Sequence, residues 1–119
     1  PKHSFNYTGI DGSLYVFEAP IDLLSYISLY PSDWQAHSYV ACCGTSIQPV
    51  LEQLRRQDID SVYLCLDNDS AGQKAARRME AELSEREVYV EIVVPTLKDW
   101  NDDLRKEVQE WAQTSGLSL

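Results

Sequence analysis

Apolar residues along this chain gather in short runs, and the runs alternate with stretches of helical spacing. Leu14-Tyr15-Val16-Phe17, Ser38-Tyr39-Val40-Ala41-Cys42, Val62-Tyr63-Leu64-Cys65-Leu66 and Val88 to Val94 are rich in β-branched, aromatic and aliphatic side chains, and each reads as a strand. After the first run, Pro20 suits the first turn of a helix that Ile21, Leu24 and Ile27/Ser28 continue on one face until Pro31 stops it. After the second, Gly44-Thr45 turns the chain and Ser46 is the expected N-cap. Pro49 then falls at the third helical position, and Val50/Leu51 and Leu54 form the apolar side. After the third, Ser70 and Gln73 have capping-box spacing. Gly72, Ala76, Met79 and Leu83 follow at steps of four, three and four, and Gly72, Ala75 and Ala76 are small enough for close approach to a sheet. Pro95 ends the fourth run. Asn101 is expected to cap a last helix with Leu104, Val108 and Trp111 on one side. Ser4-Phe5-Asn6-Tyr7 reads as a short extra strand, joined to the first by the Gly9 to Gly12 turn.

This strand-helix alternation predicts an α/β fold: a central four-stranded, mainly parallel sheet with right-handed crossovers, flanked by helices, plus the extra N-terminal strand. The near-continuous apolar runs agree, because parallel strands are buried on both faces.

A length of 119 residues fits one domain with a real core, and 44% apolar with 24% charged residues is ordinary for a globular chain. No apolar run approaches 18 residues and no signal-peptide pattern appears, so a cytoplasmic, non-membrane protein is expected. The chain begins at Pro1 rather than Met, and a fragment of a longer protein is expected. Ten Lys and Arg against nineteen Asp and Glu leave a net charge of −9. That argues against non-specific nucleic-acid binding over the whole surface, which needs cations to replace phosphate counterions. The cations are partly grouped, as Arg55-Arg56 and as Lys74, Arg77 and Arg78, and a solvated helix face is the plain explanation of both groups. Cys42, Cys43 and Cys65 read as buried small hydrophobes in a reducing compartment, with no zinc spacing. His3 and His37 are isolated and are not read as ligands.

Acidic residues recur after three of the four main strands: Glu18 with Asp22 a helical turn later, Asp67 with Asp69, and Asp99 with Asn101 and Asp102. Loops that follow parallel strands share one edge of the sheet, so these carboxylates can meet there, beside Gly44-Thr45. Ligands of open α/β sheets bind at that edge. Several of these residues also have structural explanations. Asp69 can cap a helix, Asp22 can answer a helix dipole, Asn101 can be an N-cap and Gly44 a turn glycine. Glu18 abuts a buried strand and precedes Pro20, so it is no part of a solvated charge run. The obvious partner for converging carboxylates is Mg2+, a hard cation with oxygen ligands, Mn2+ being an alternative.

Phe17-Glu18-Ala19-Pro20-Ile21-Asp22, Cys43-Gly44-Thr45, Leu66-Asp67-Asn68-Asp69-Ser70-Ala71-Gly72 and Lys98-Asp99-Trp100-Asn101-Asp102 resemble the ordered motifs of the Toprim domain. That domain is shared by bacterial primases, topoisomerases and some nucleases. The resemblance covers about residues 14 to 104 and is nearest to the primase-like branch found in plasmid and mobile-element proteins. It implies a Rossmann-like Toprim fold, with residues 1–119 as a single Toprim domain of a longer protein. It also implies Glu18 as general acid/base or metal-associated residue, Asp67 and Asp69 as the Mg2+ pair, and Asp99 as a further metal ligand. Asp22, Gly44, Thr45, Lys98 and Asn101 are expected on the substrate side. Ala19 stands where many members have Gly, and Asn101 where primases often have a second Asp.

The implied activity is Mg2+-dependent phosphoryl or nucleotidyl transfer on nucleic acid, DNA more than RNA. Nucleotides and other domains of the parent chain are the further partners. Two other Toprim outcomes are a nuclease that cuts DNA or RNA and a non-catalytic module that binds DNA or a partner. A receiver-like phosphoacceptor expects an acidic pair after the first strand, which the Glu18 to Asp22 spacing fits poorly. A topoisomerase needs a transesterifying tyrosine, and none of Tyr7, Tyr15, Tyr26, Tyr30, Tyr39, Tyr63 and Tyr89 is singled out by the sequence.

Overall fold

The computed structural model describes residues 4–116; His3 lies outside them. The elements run β1 (Phe5–Tyr7), β2 (Ser13–Phe17), α1 (Pro20–Leu29), a 3-10 turn (Trp34–Ala36), β3 (Ser38–Ala41), α2 (Gln48–Arg56), β4 (Ser61–Leu64), α3 (Ser70–Leu83), β5 (Tyr89–Ile92) and α4 (Trp100–Thr114). The described strands form one five-stranded sheet in the order β1-β3-β2-β4-β5. β2, β3, β4 and β5 are parallel. The extra N-terminal strand is present, but it pairs antiparallel with β3 (Asn6 opposite Val40) and not with the strand that follows it in sequence. Tyr7, Tyr39, Tyr15 and Tyr63 stand opposite one another across four strands. The rings of Tyr15 and Tyr63 stack with centroids 4.7 Å apart. Burial pushes the phenols of Tyr15 and Tyr39 up, the opposite of what a nucleophile needs.

The strand order explains the layers. The chain leaves β2 for β3 on one side, then crosses back over β2 to reach β4 on the other. Right-handed connections made in opposite directions lie on opposite faces. Accordingly α2 and α3 cover one face, where Val50, Ala75, Ala76, Met79 and Leu83 pack on Leu14, Val16, Val40, Val62 and Leu64. α1 and α4 cover the other, where Leu23 and Trp100 pack with Phe17, Tyr39, Ala41 and Cys65. The point where the order reverses lies between β2 and β4, and ligands of such sheets bind outside the strand ends there.

Several local expectations are corrected. Of the two caps the sequence allowed for α3, Asp69 is the one used rather than Ser70, and α4 is capped by Asp99, not Asn101. α2 begins after Ile47, although the Ser46 hydroxyl still accepts the Gln48 N–H at 3.2 Å. In α1 part of the expected apolar face is turned out: Ile21 is 54% exposed and Leu24 is exposed too, while Ile27 packs against the core. Asp22, Leu23 and Ser25 are buried instead, because the two polar side chains bond to α4 at Asn101. Val108 and Trp111 of α4 are exposed, and Trp100 and Ala112 are its buried residues. Cys42 and Cys65 are buried as expected, but Cys43 is exposed, because β3 ends at Ala41 and the chain turns.

α3 lies very close to the end of β4. A Cβ added at Gly72 would stand 2.3 Å from the Asp67 carbonyl oxygen, a backbone atom that cannot swing aside. Gly72→Ala is therefore expected to push α3 off the sheet and to destabilise the chain by roughly 1–3 kcal/mol, read as a lower urea midpoint at unchanged slope.

Candidate active site

The β2–β4 ladder runs on past both strands. Val16 is opposite Leu64, and the Cys65 N–H donates to the Val16 carbonyl at 2.8 Å. Two residues later the Asp67 N–H donates to Glu18 Oε2 at 3.1 Å. Glu18 and Asp67 thus lie side by side at the switch point. On the β3 side, the Gly44 N–H donates to the Glu18 carbonyl at 3.0 Å. Cys43 and Gly44 turn there with φ of 55° and 141°, and the second suits glycine.

The β4–α3 loop is tied to the β5–α4 loop. The Asn68 N–H donates to the Lys98 carbonyl at 2.7 Å, and Asn68 Nδ2 to the Pro95 carbonyl at 3.1 Å. The Trp100 indole N–H donates to the Cys65 carbonyl at 3.0 Å and sets the start of α4 beneath the end of β4. Asp99, at the head of that helix, accepts the Asp102 N–H at 2.8 Å. Asp69, at the head of α3, accepts the Gly72 N–H at 2.7 Å. Each cap uses Oδ1, and Oδ2 takes no part in it. Asp22, only 4% exposed, accepts the Asn101 N–H at 3.3 Å and so holds α1 to α4.

These contacts bring Glu18, Asp67, Asp69 and Asp99 to one edge. Asp67 is the electrostatic focus. Its Oδ1 is buried with no hydrogen-bond partner. Burial, then the adjoining Glu18 carboxylate, then Asp99 and Asp69 push its carboxyl up to about 7. Burial also lifts Asp22 to about 6, with Asp67, Asp99 and Asp102 adding and the Asn101 N–H opposing. Among the described residues no ion pair involves any of these five acids. An unpartnered buried carboxylate oxygen among like charges calls for a proton or a cation. No three His, Cys, Asp or Glu side chains among the described residues form a ready-made metal cage. Mg2+ does not require one, since it keeps several waters and is held through one or two carboxylates. The donor set at Asp67, with Glu18, Asp69 and Asp99 around it, fits that ion.

The substrate-side residues are less uniform. Gly44 is exposed and Thr45 half-buried at the same edge. The Lys98 side chain is exposed, while its carbonyl fixes Asn68. The Asn101 side chain accepts from the Ser25 hydroxyl at 3.3 Å, which ties it to α1. Sequence reasoning assigned no role to Asn68, and it read Gln73 as the capping-box partner of Ser70, whereas the Gln73 amide donates to the Asp67 carbonyl at 3.0 Å. The signal was present in their positions, one between the two aspartates and the other one turn into α3. His37 pairs with Asp11 and plays no part here.

A family model described as Toprim-like matches residues 15–104. The chain belongs to the Toprim-like family. An uncharacterized protein of Mycoplasma genitalium is 24% identical to this Toprim-like chain over 105 residues, covering 86% of the chain and 46% of that protein. Its homologue in Mycoplasma pneumoniae is 34% identical over 74 residues, covering 60% of the chain and 35% of that protein. The crystal structure of the primase fragment of the bacteriophage T7 primase-helicase protein has the same fold. Its TM-score is 0.63 at 22% identity, covering 87% of this chain and 44% of that one. The Toprim-like chain therefore spans less than half the length of each.

Two predictions follow from the electrostatics and the caps. Asp67 and Asp22 both have folded-state pKa values above the ordinary 3.8. The folded chain therefore holds protons that the unfolded chain releases. The stability this confers is complete below about pH 4 and is lost as pH rises through about 6 and 7. In EDTA, calorimetry should give a higher Tm at pH 5 than at pH 8, by at least about 4 °C if the loss is ~1 kcal/mol. Asp67→Asn should flatten that dependence. Separately, Asp99→Ala should lose ~1 kcal/mol in urea denaturation, whereas Asp99→Asn, still a good cap, should lose little.

Proposed function

We propose that this chain is the Toprim module of a longer, primase-like protein of DNA replication or of a mobile element. Its activity would be Mg2+-dependent phosphoryl or nucleotidyl transfer on nucleic acid. The observation that carries the reading is the buried, unpartnered Asp67 carboxylate oxygen beside Glu18 at the switch point. Family membership and the fold shared with a primase fragment support the same reading.

In this proposal Asp67 and Asp69 hold Mg2+, with Asp99 and Glu18 near enough to complete or tune the site. When bound, the ion would neutralise phosphate charge and favour departure of the leaving group. Glu18 would take a proton from an attacking hydroxyl, or return one to a leaving oxygen. Its backbone carbonyl is fixed by Gly44 and its carboxylate by the Asp67 N–H, so its position is set before substrate arrives. Gly44, Thr45, Lys98 and Asn101 would lie on the substrate side, and Asp22 would position the head of α4.

A second reading is a module that binds without catalysis. It is favoured by one observation, that Asp69 and Asp99 already have structural work as helix caps. Mn2+ titration calorimetry tests the metal. Asp67→Asn should weaken binding at least tenfold, and unchanged binding would remove the metal assignment. Primer synthesis by the full-length protein on single-stranded DNA tests the chemistry. Glu18→Gln should abolish synthesis with Mn2+ binding largely kept. Full synthesis by that variant would favour the binding module. Metal-dependent cutting without synthesis would move the reading to a nuclease.

A further inference from the structure

The first ten residues of α3, Ser70 to Met79, contain Lys74, Arg77 and Arg78 and no acid, in a chain that carries nineteen. All three cations are exposed. Residues three and four apart share a helix face, so the three form one patch. Glu82 stands four residues beyond Arg78, yet among the described residues none of the three cations makes an ion pair. Glu80, three residues beyond Arg77, is half-buried and likewise forms no ion pair with the patch, and on the side of the acidic edge its helical neighbours are Ser70 and Ala71.

The patch is joined to the acidic edge. α3 starts at Asp69, so Lys74 lies little more than one turn from it. Arg78 Nη2 donates to the Thr45 carbonyl at 3.3 Å. Thr45 follows Gly44, whose N–H bonds to Glu18. The basic face therefore begins where the carboxylates end. Lys74 to Arg78 spans about 6 Å along the helix axis, roughly the axial rise of two nucleotides.

We propose that Lys74, Arg77 and Arg78 form a track for the phosphodiester backbone of a nucleic-acid strand, leading it along α3 to the acidic edge. This deepens the functional reading above and rests on it for the nature of the partner. Phosphates are the fitting occupant because the cations make no ion pair, share one exposed helix face and adjoin an edge that, on the proposed function, receives a phosphate. The surrounding acids work in the same direction: with a net charge of −9, a strand is repelled from most of the surface and admitted where cations outnumber acids.

The test is binding of a fluorescein-labelled single-stranded deoxyoligonucleotide by anisotropy, in EDTA, across a salt series. K74Q/R77Q/R78Q should weaken binding at least tenfold, and the slope of log K against log salt should shrink by about 2 units. The charge-matched control R56Q/R86Q/K106Q, whose residues lie elsewhere, should change either quantity far less. Circular dichroism confirms that both variants fold. Equal losses in the two triple variants, no loss in the first, or equally effective competition by poly-glutamate of matched charge would each overturn the track. Because no metal is present, the outcome is independent of the Mn2+ titration. A chain that binds Mn2+ but is indifferent to K74Q/R77Q/R78Q loses the track alone, and one that keeps the track without Mn2+ binding loses the site alone.

Discussion

The parallel register of β2 and β4 places Glu18 and Asp67 in adjacent loops, and the rest of the structure answers to that placement. The Glu18 carboxylate beside Asp67 raises the cost of charging it, a burden on a fold of which a typical example has only about 5–15 kcal/mol of net stability. The Asp67 N–H relieves part of this by bonding to Glu18. The remainder is met by rigidity. Asn68, Gln73 and Trp100 fix the β4 end from three directions, so the carboxylates cannot drift apart. The strain is released by a proton on Asp67 or by a cation.

That rigidity depends on small side chains as much as on polar ones. Gly72 lets α3 reach the Asp67 carbonyl, and Ala75 and Ala76 continue the close contact along the sheet. A closely seated α3 carries its exposed cations near the acidic edge. Packing on the inner face of one helix thus sets the distance between opposite charges on its outer side and in the loop before it.

Much of this was readable before any coordinates. The strands and helices followed from periodicity, and the common edge followed from acids recurring after strands, because parallel strands leave no other place for those loops. What was misread has a shared physical cause. Asp69 and Ser70, like Asp99 and Asn101, are both capping types standing close together, and only backbone dihedrals decide which caps. The inner face of α1 was misassigned because Asp22 and Ser25 are buried by bonds to Asn101, seventy-nine and seventy-six residues away, which outweigh the exposure of Ile21 and Leu24. The partner of β1 was left open by the sequence, and it is β3, again a non-local choice. Cys43 lies outside because the strand ends at Ala41, one residue before the expected end at Cys42, and the chain turns there.

The two helix caps also bear on how descent can be read in this family. Asp69 and Asp99 each stabilise a helix end whether or not the site does chemistry. A lineage that had abandoned catalysis would still be selected to keep an acid or a close substitute at both positions. Their presence in a relative is therefore weak testimony about activity. Asp67 is different: its buried oxygen supports nothing in the metal-free fold, and its charge burdens it. Once chemistry is abandoned, that residue is the one free to change, and its loss would be the earliest legible mark of a silent site.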